Sequence, residues 1–208
     1  MLNEIKKAIL SGIMISIGAS AYLSCLDKGL VWLGAILFSA GLFTICEYGF
    51  NLYTGKVGYI AYNFTNFKYI QLVLLILVVN IFSTWILGIL CSSVFTNIKS
   101  TATSIYNSKI SVPFWKTFIS GNFCGILMFL AVDTWKRGKT IGCFVYIPAF
   151  IVCGFDHSIA DAFYFGAAQG LNTILSMKNV LFLVIVILGN AVGGMIVPLL
   201  LKNKADKN

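Results

Sequence analysis

Charge is scarce in this 208-residue sequence: Asp, Glu, Lys and Arg together make up 11% of it, and His157 is its one histidine. A soluble globular domain of ordinary composition is excluded by so little charge beside 59% hydrophobic residues and a mean hydropathy of +0.90. The chain reads as an all-α integral membrane protein whose surroundings are a lipid bilayer. Enzyme signatures are missing as well: there is no G-x-S-x-G, no H-E-x-x-H and no phosphate loop. Asp156, His157 and Ser158 could suggest hydrolysis, but no oxyanion donor can be named beside them, so no enzyme is expected. With no second histidine and no C-x-x-C pair, a metal site or other cofactor is not expected. Cys25, Cys46, Cys91, Cys124, Cys143 and Cys153 lie in or beside apolar runs, where they read as small hydrophobes in helix packing. The net charge of +8 has no soluble basic domain to display it, so nucleic acid is not an expected partner.

What is present is a series of apolar runs. A spanning helix needs roughly 20 predominantly apolar residues, and hydropathy places six spans at 8–26, 31–48, 69–95, 112–135, 140–170 and 179–201. The first run follows Lys6 and Lys7 but lacks an A-x-A-like cleavage site and resembles the later runs, which favours a span over a signal peptide. With both termini cytoplasmic, the inner segments carry Lys6, Lys7, Lys56, Lys68, Lys136, Arg137, Lys139, Lys202, Lys204 and Lys207, ten of the fifteen basic residues. That bias follows the positive-inside rule.

The second and fifth spans are interrupted by polar residues and glycines, and breaks are predicted at 51–55 and 155–160, meeting near mid-membrane. Unpaired backbone at membrane depth survives only buried in protein or along a wet path. Gly49-Phe50-Asn51 and Gly154-Phe155-Asp156 open the two breaks, and Asn80 and Asn190 follow at comparable depth in the third and sixth spans. Matching breaks in two three-span halves predict an inverted repeat, about 8–97 and 109–203, within one transmembrane channel domain covering 1–208.

An ionisable residue inside a membrane is costly to keep, so His157 reads as functional. It is expected to charge or lend a proton between roughly pH 5 and 8, since a purely donor role needs no ionisable ring. Thr54 offers a hydroxyl to an anion or to His157 across the pseudo-symmetry axis. Glu47 is expected in packing or bonded to freed backbone in the break. Lys109 lies between the third and fourth spans, where it is either a solvated loop charge or a pathway residue. Phe38, Leu42 and Phe150 are either helix packing or apolar collars flanking a pore; pattern alone does not choose.

The run Gly154-Phe155-Asp156-His157-Ser158-Ile159-Ala160-Asp161-Ala162-Phe163 resembles the G-F-[ED]-H-S-[IV]-A-N-M-F signature of the formate/nitrite transporters, channels for formate, nitrite, hydrosulfide and related small acids. Asn51-Leu52-Tyr53-Thr54-Gly55 is similar to that family's [DE]-L-F-T-[GS] loop, and Gly189-Asn190 with Gly193-Gly194 to its sixth-span glycine motif. The stretch from Lys109 to Trp115 resembles the entry to its fourth span. The resemblance implies an aquaporin-like inverted repeat of three plus three helices and a homopentamer in the cell (inner or plasma) membrane. It implies a pathway for small monovalent anions along Thr54, Lys109, His157 and Asn190, with Lys109 as a vestibule lysine. Phe38, Leu42 and Phe150 become constrictions, and Asn51, Leu52, Tyr53, Phe155, Asp156 and Ser158 belong to the pore-break loops. An aquaporin-like channel for neutral small solutes is the alternative. Two departures stand out: Asn51 replaces an acidic residue, with Glu47 one turn earlier as a substitute, and Gly125 replaces an asparagine, which is expected to widen the pore side.

Overall fold

A computed structural model of the chain describes residues 1–201. Lys202, Lys204 and Lys207, and the last residues of the second expected repeat, lie outside the described residues. The helices are α1 (Leu2–Leu26), α2 (Val31–Glu47), α3 (Tyr53–Lys56) with a 3-10 turn over Val57–Tyr62, α4 (Phe67–Val94), α5 (Thr96–Ile110), α6 (Phe114–Lys136), α7 (Ile141–Val152), α8 (Ser158–Gln169), α9 (Asn172–Leu175) and α10 (Met177–Leu201). Four of them, α1, α4, α6 and α10, are long and apolar enough to cross a membrane, and α2 and α7 are shorter apolar helices. Their outward faces carry large apolar side chains such as Trp32, Phe82, Leu90, Phe123 and Leu200, as expected of a surface meeting lipid or neighbouring subunits rather than water.

Long helices approach closely where glycine leaves no side chain between them. A Cβ on Gly125 of α6 would stand 2.4 Å from the Asn190 carbonyl oxygen, and one on Gly193 of α10 would stand 2.0 Å from that of Asn122. Gly88 of α4 and Gly166 of α8 are each 2.3 Å, by the same measure, from a backbone carbonyl of the facing helix. Small residues at such crossings let backbones pack directly, a main source of helix association in lipid. Gly125 therefore faces the backbone of α10, and the widening of a pore expected from its missing side chain does not occur. Substituting asparagine for Gly125 should force α6 from α10, at about 1–3 kcal/mol for overpacking. The expected result is a lower unfolding temperature in detergent; an unchanged temperature would contradict the crossing.

Helix α5 was not among the expected elements, because its polar residues hide it from a hydropathy window. Its amphipathic spacing is nonetheless visible: Ile98 and Ala102 are buried, Ile105 packs against the core, and Lys109 continues the same stripe.

Candidate functional site

Two interruptions build the site. Helix α2 ends at Glu47 and the chain resumes as α3 at Tyr53; α7 ends at Val152 and α8 begins at Ser158. Gly49 (φ 62°) and Gly154 (φ 69°) take the left-handed conformation that stops each helix. In each turn the following phenylalanine closes back by a backbone bond of 2.9 Å, Phe50 N–H to the Ile45 carbonyl and Phe155 N–H to the Phe150 carbonyl. The non-helical stretches are thus 48–52 and 153–157, shifted a few residues toward the N-terminus from the expected breaks. Tyr53, Thr54, Gly55 and Ser158 to Ala160 are already helical.

One asparagine supports each interruption. The Asn80 amide donates to the carbonyls of Ala8 (2.8 Å) and Asn51 (3.1 Å), while its oxygen accepts the Tyr53 N–H (2.8 Å). Asn190 repeats the arrangement, donating to Gly121 and Asp156 carbonyls (both 2.9 Å) and accepting the Ser158 N–H (2.9 Å). These amides supply the partners that interrupted backbone needs. Asn190, expected on the pathway, is fully buried and engaged with backbone, so its place is structural. Asn51 donates to the Glu4 carboxylate (2.7 Å) and to its carbonyl (3.2 Å). Glu4 in the first turn of α1 is therefore the acidic partner of this break. Glu47 is exposed, because the last turn of α2 rotates it away.

His157 and Thr54 meet across the two interruptions, with His157 Nε2 2.9 Å from Thr54 Oγ1. The His157 side chain also caps α8: Nδ1 accepts the Ala160 N–H at 3.1 Å. An Nδ1 that accepts cannot carry a proton, so the imidazole is neutral with its proton on Nε2, donating to Thr54. This arrangement opposes the expected charging of the ring, since protonating Nδ1 would break the cap. The Thr54 hydroxyl proton has no acceptor among the described residues. The ring stacks on Phe150 (centroids 5.6 Å apart, planes at 12°), and Phe150 meets Phe38 edge to face at 6.2 Å.

Two cavities flank this pair. One, of about 430 Å³, is lined by Leu42, Leu52, Gly55, Lys56 and Lys136 among others. The second, of about 230 Å³, is lined by Phe150, His157, Lys109, Asp161, Tyr22 and Tyr164 among others. Leu42 and Phe150 thus lie on different cavities, and Phe38 touches Phe150 between them. Lys109 is neither a loop residue nor a free vestibule charge: it ends α5, its side chain is 15% exposed, and its ammonium pairs with Asp156 and with Asp161 Oδ1 at 3.1 Å. Phe155 packs on Phe123 at 5.2 Å and lines the same cavity as His157.

A family model described as formate/nitrite transporter matches residues 2–202. The chain belongs to the formate/nitrite transporter family. Two solved structures are similar to this transporter-family chain. One, described as a pentameric formate channel with formate bound, is 23% identical, covers 95% of this chain and 94% of its own, and superposes with a TM-score of 0.77. The other, an FNT family ion channel, is 19% identical, with coverages of 94% and 87% and a TM-score of 0.79. At these identities the likeness establishes the fold. No curated protein matches. The resemblance read from the motifs is therefore correct for the family and for an all-helical channel-like fold; Glu4, which it did not include, and Asp161, to which it gave no role, lie against Asn51 and Lys109.

Proposed function

We propose that this chain conducts small monovalent anions of weak acids, formate-, nitrite- or hydrosulfide-like, between its two cavities past Thr54 and His157. The observation that carries this is the Thr54–His157 hydrogen bond: it joins the two interrupted segments and leaves the threonine proton unclaimed. In this reading α2 with α3, and α7 with α8, are broken spans, giving six spans in an inverted repeat of three plus three; the paired turns and asparagines support it. A homopentamer is supported by the similar formate channel's pentameric state and by the broad apolar exterior. Both termini lie in the cytoplasm, as the lysine bias favours.

An anion entering from the cytoplasmic cavity meets Lys56 and Lys136, neither in an ion pair among the described residues. It then passes Leu42, Phe38 and Phe150, where lost hydration is costly. The Thr54 O–H offsets part of that cost by donating to the anion while the His157 N–H donates to the threonine oxygen, which strengthens the donor. A hydrogen bond to a charged group contributes about 1.5–3 kcal/mol, so Thr54→Val should slow formate flux in reconstituted vesicles about 10- to 100-fold. Thr54→Ser should keep most of it. Equal flux from the valine variant and the wild type would remove the proposed donor.

A further inference from the structure

The cavity beside His157 holds a cluster one proton short of neutral. Lys109 contributes one positive charge, and Asp156 and Asp161 contribute two carboxyl groups that share its ammonium. The two carboxyls differ. Asp156 lies at the end of the interruption, next to the backbone that Asn190 and Ser120 hold. Asp161 is in the first turn of α8, is 1% exposed, and uses only Oδ1 on Lys109. Its Oδ2 is buried without a hydrogen-bond partner among the described residues, although Asp161 lines the cavity. An ionised carboxylate oxygen buried without a donor is among the costliest groups to keep in a membrane protein's interior.

We propose that Asp161 Oδ2 holds a proton when this cavity receives an anion, so that the anion enters beside a neutral cluster rather than a negative one. With the proton in place the cluster is neutral, and Oδ2 no longer belongs to a buried, half-paired carboxylate. Without it the cavity carries a net charge of −1 a few ångströms from the path and repels the same ion. The proton comes from water on that side of the membrane and stays on Asp161 as the anion passes, so no other reactant is consumed. The remaining titratable groups around Asp161 are Tyr22 of α1, Tyr106 and Lys109 of α5, Cys124 of α6, Asp156 and His157 of the interruption, and Tyr164 of α8. Of these Lys109 and Asp156 carry charge, and they compensate one another. The charge of the cavity therefore follows Asp161 alone, and anion entry is full at low pH and lost as pH rises through its titration.

The inference rests on the reading that anions pass His157, and one experiment separates the two. Formate flux is measured in vesicles holding wild type or Asp161→Asn, with equal pH on both sides, from pH 5 to 8. Asparagine is isosteric and does not titrate. The ratio of variant to wild-type flux cancels the titration of formic acid itself. It should be near one at pH 5 and rise about tenfold or more by pH 8, as one unit charge at such a distance dictates. Asp161→Ser, which also removes the carboxyl, should show the same rise, and Asp161→Glu should not. A ratio that stays constant with pH, for the asparagine and serine variants alike, overturns the role of Asp161 and leaves the anion pathway standing. Absence of formate flux from the wild type at every pH overturns both.

Discussion

Replacing His157 by phenylalanine should slow anion flux by about 100-fold while leaving the assembled protein detectable by size exclusion. The phenyl ring can keep the stack on Phe150, where the imidazole lies at 5.6 Å. It loses two hydrogen bonds: the Nε2–H to Thr54 Oγ1 and the cap that Nδ1 provides for the Ala160 N–H. The cap is worth about 1 kcal/mol of stability, typical for an N-terminal helix cap, whereas the lost polarisation of the threonine acts where the anion is least solvated. His157→Asn sharpens the test, because asparagine is a good capping residue and should restore the bond to Ala160. Its shorter amide does not reach Thr54 as the ring does. Flux through the asparagine variant should fall about tenfold, with a pH profile parallel to that of the wild type, because the ring holds its proton on Nε2 throughout. A profile that loses its pH dependence only in His157→Asn would show that the ring itself exchanges a proton.

Asn190→Leu should damage the fold more than the pathway. It removes one acceptor and two donors, leaving the Ser158 N–H and the Asp156 carbonyl without partners in a fully buried setting, while the Gly121 carbonyl keeps the bond of its own helix. Each buried unsatisfied polar group costs about 1–3 kcal/mol. A total of about 3 kcal/mol, at roughly 2–4 °C per kcal/mol for a chain of this size, lowers the unfolding temperature in detergent by roughly 6–12 °C. Asn80→Leu should do the same through the Tyr53 N–H and the Asn51 carbonyl. A pathway residue would show the opposite pattern, with reduced flux at an unchanged unfolding temperature.

The polar centre was legible in the sequence because glycine, an ionisable residue and a hydroxyl interrupt apolar runs at two matching places. The turns lie earlier than expected because Gly49 and Gly154 end their helices at once, and Tyr53 and Ser158 restart them after a short extended link. Hydropathy could not reveal α5, whose polar face outweighs the stripe of Ile98, Ala102 and Ile105. That stripe was the available sign that Lys109 points inward rather than into a solvated loop. Nor could spacing show that Glu4, 47 residues from Asn51, reaches that break; the contact exists only because α1 returns beside it. Asn80 and Asn190 were visible as polar residues in apolar helices, but whether such an amide faces a path or holds backbone is settled by its partners.

The most direct test of anion conduction is flux through the wild-type protein in proteoliposomes, measured for formate, nitrite, hydrosulfide, acetate, lactate, chloride and glycerol at one pH near 6. Empty liposomes and Thr54→Val vesicles serve as the two references. Small weak-acid anions are expected to cross at least about tenfold faster than in either reference, a difference of about 1.4 kcal/mol or more at the Thr54 donor. Glycerol, which brings no charge to that donor, should cross no faster than through empty liposomes. Rapid glycerol entry with formate at the background rate would contradict anion conduction and mark the chain as a channel for neutral solutes.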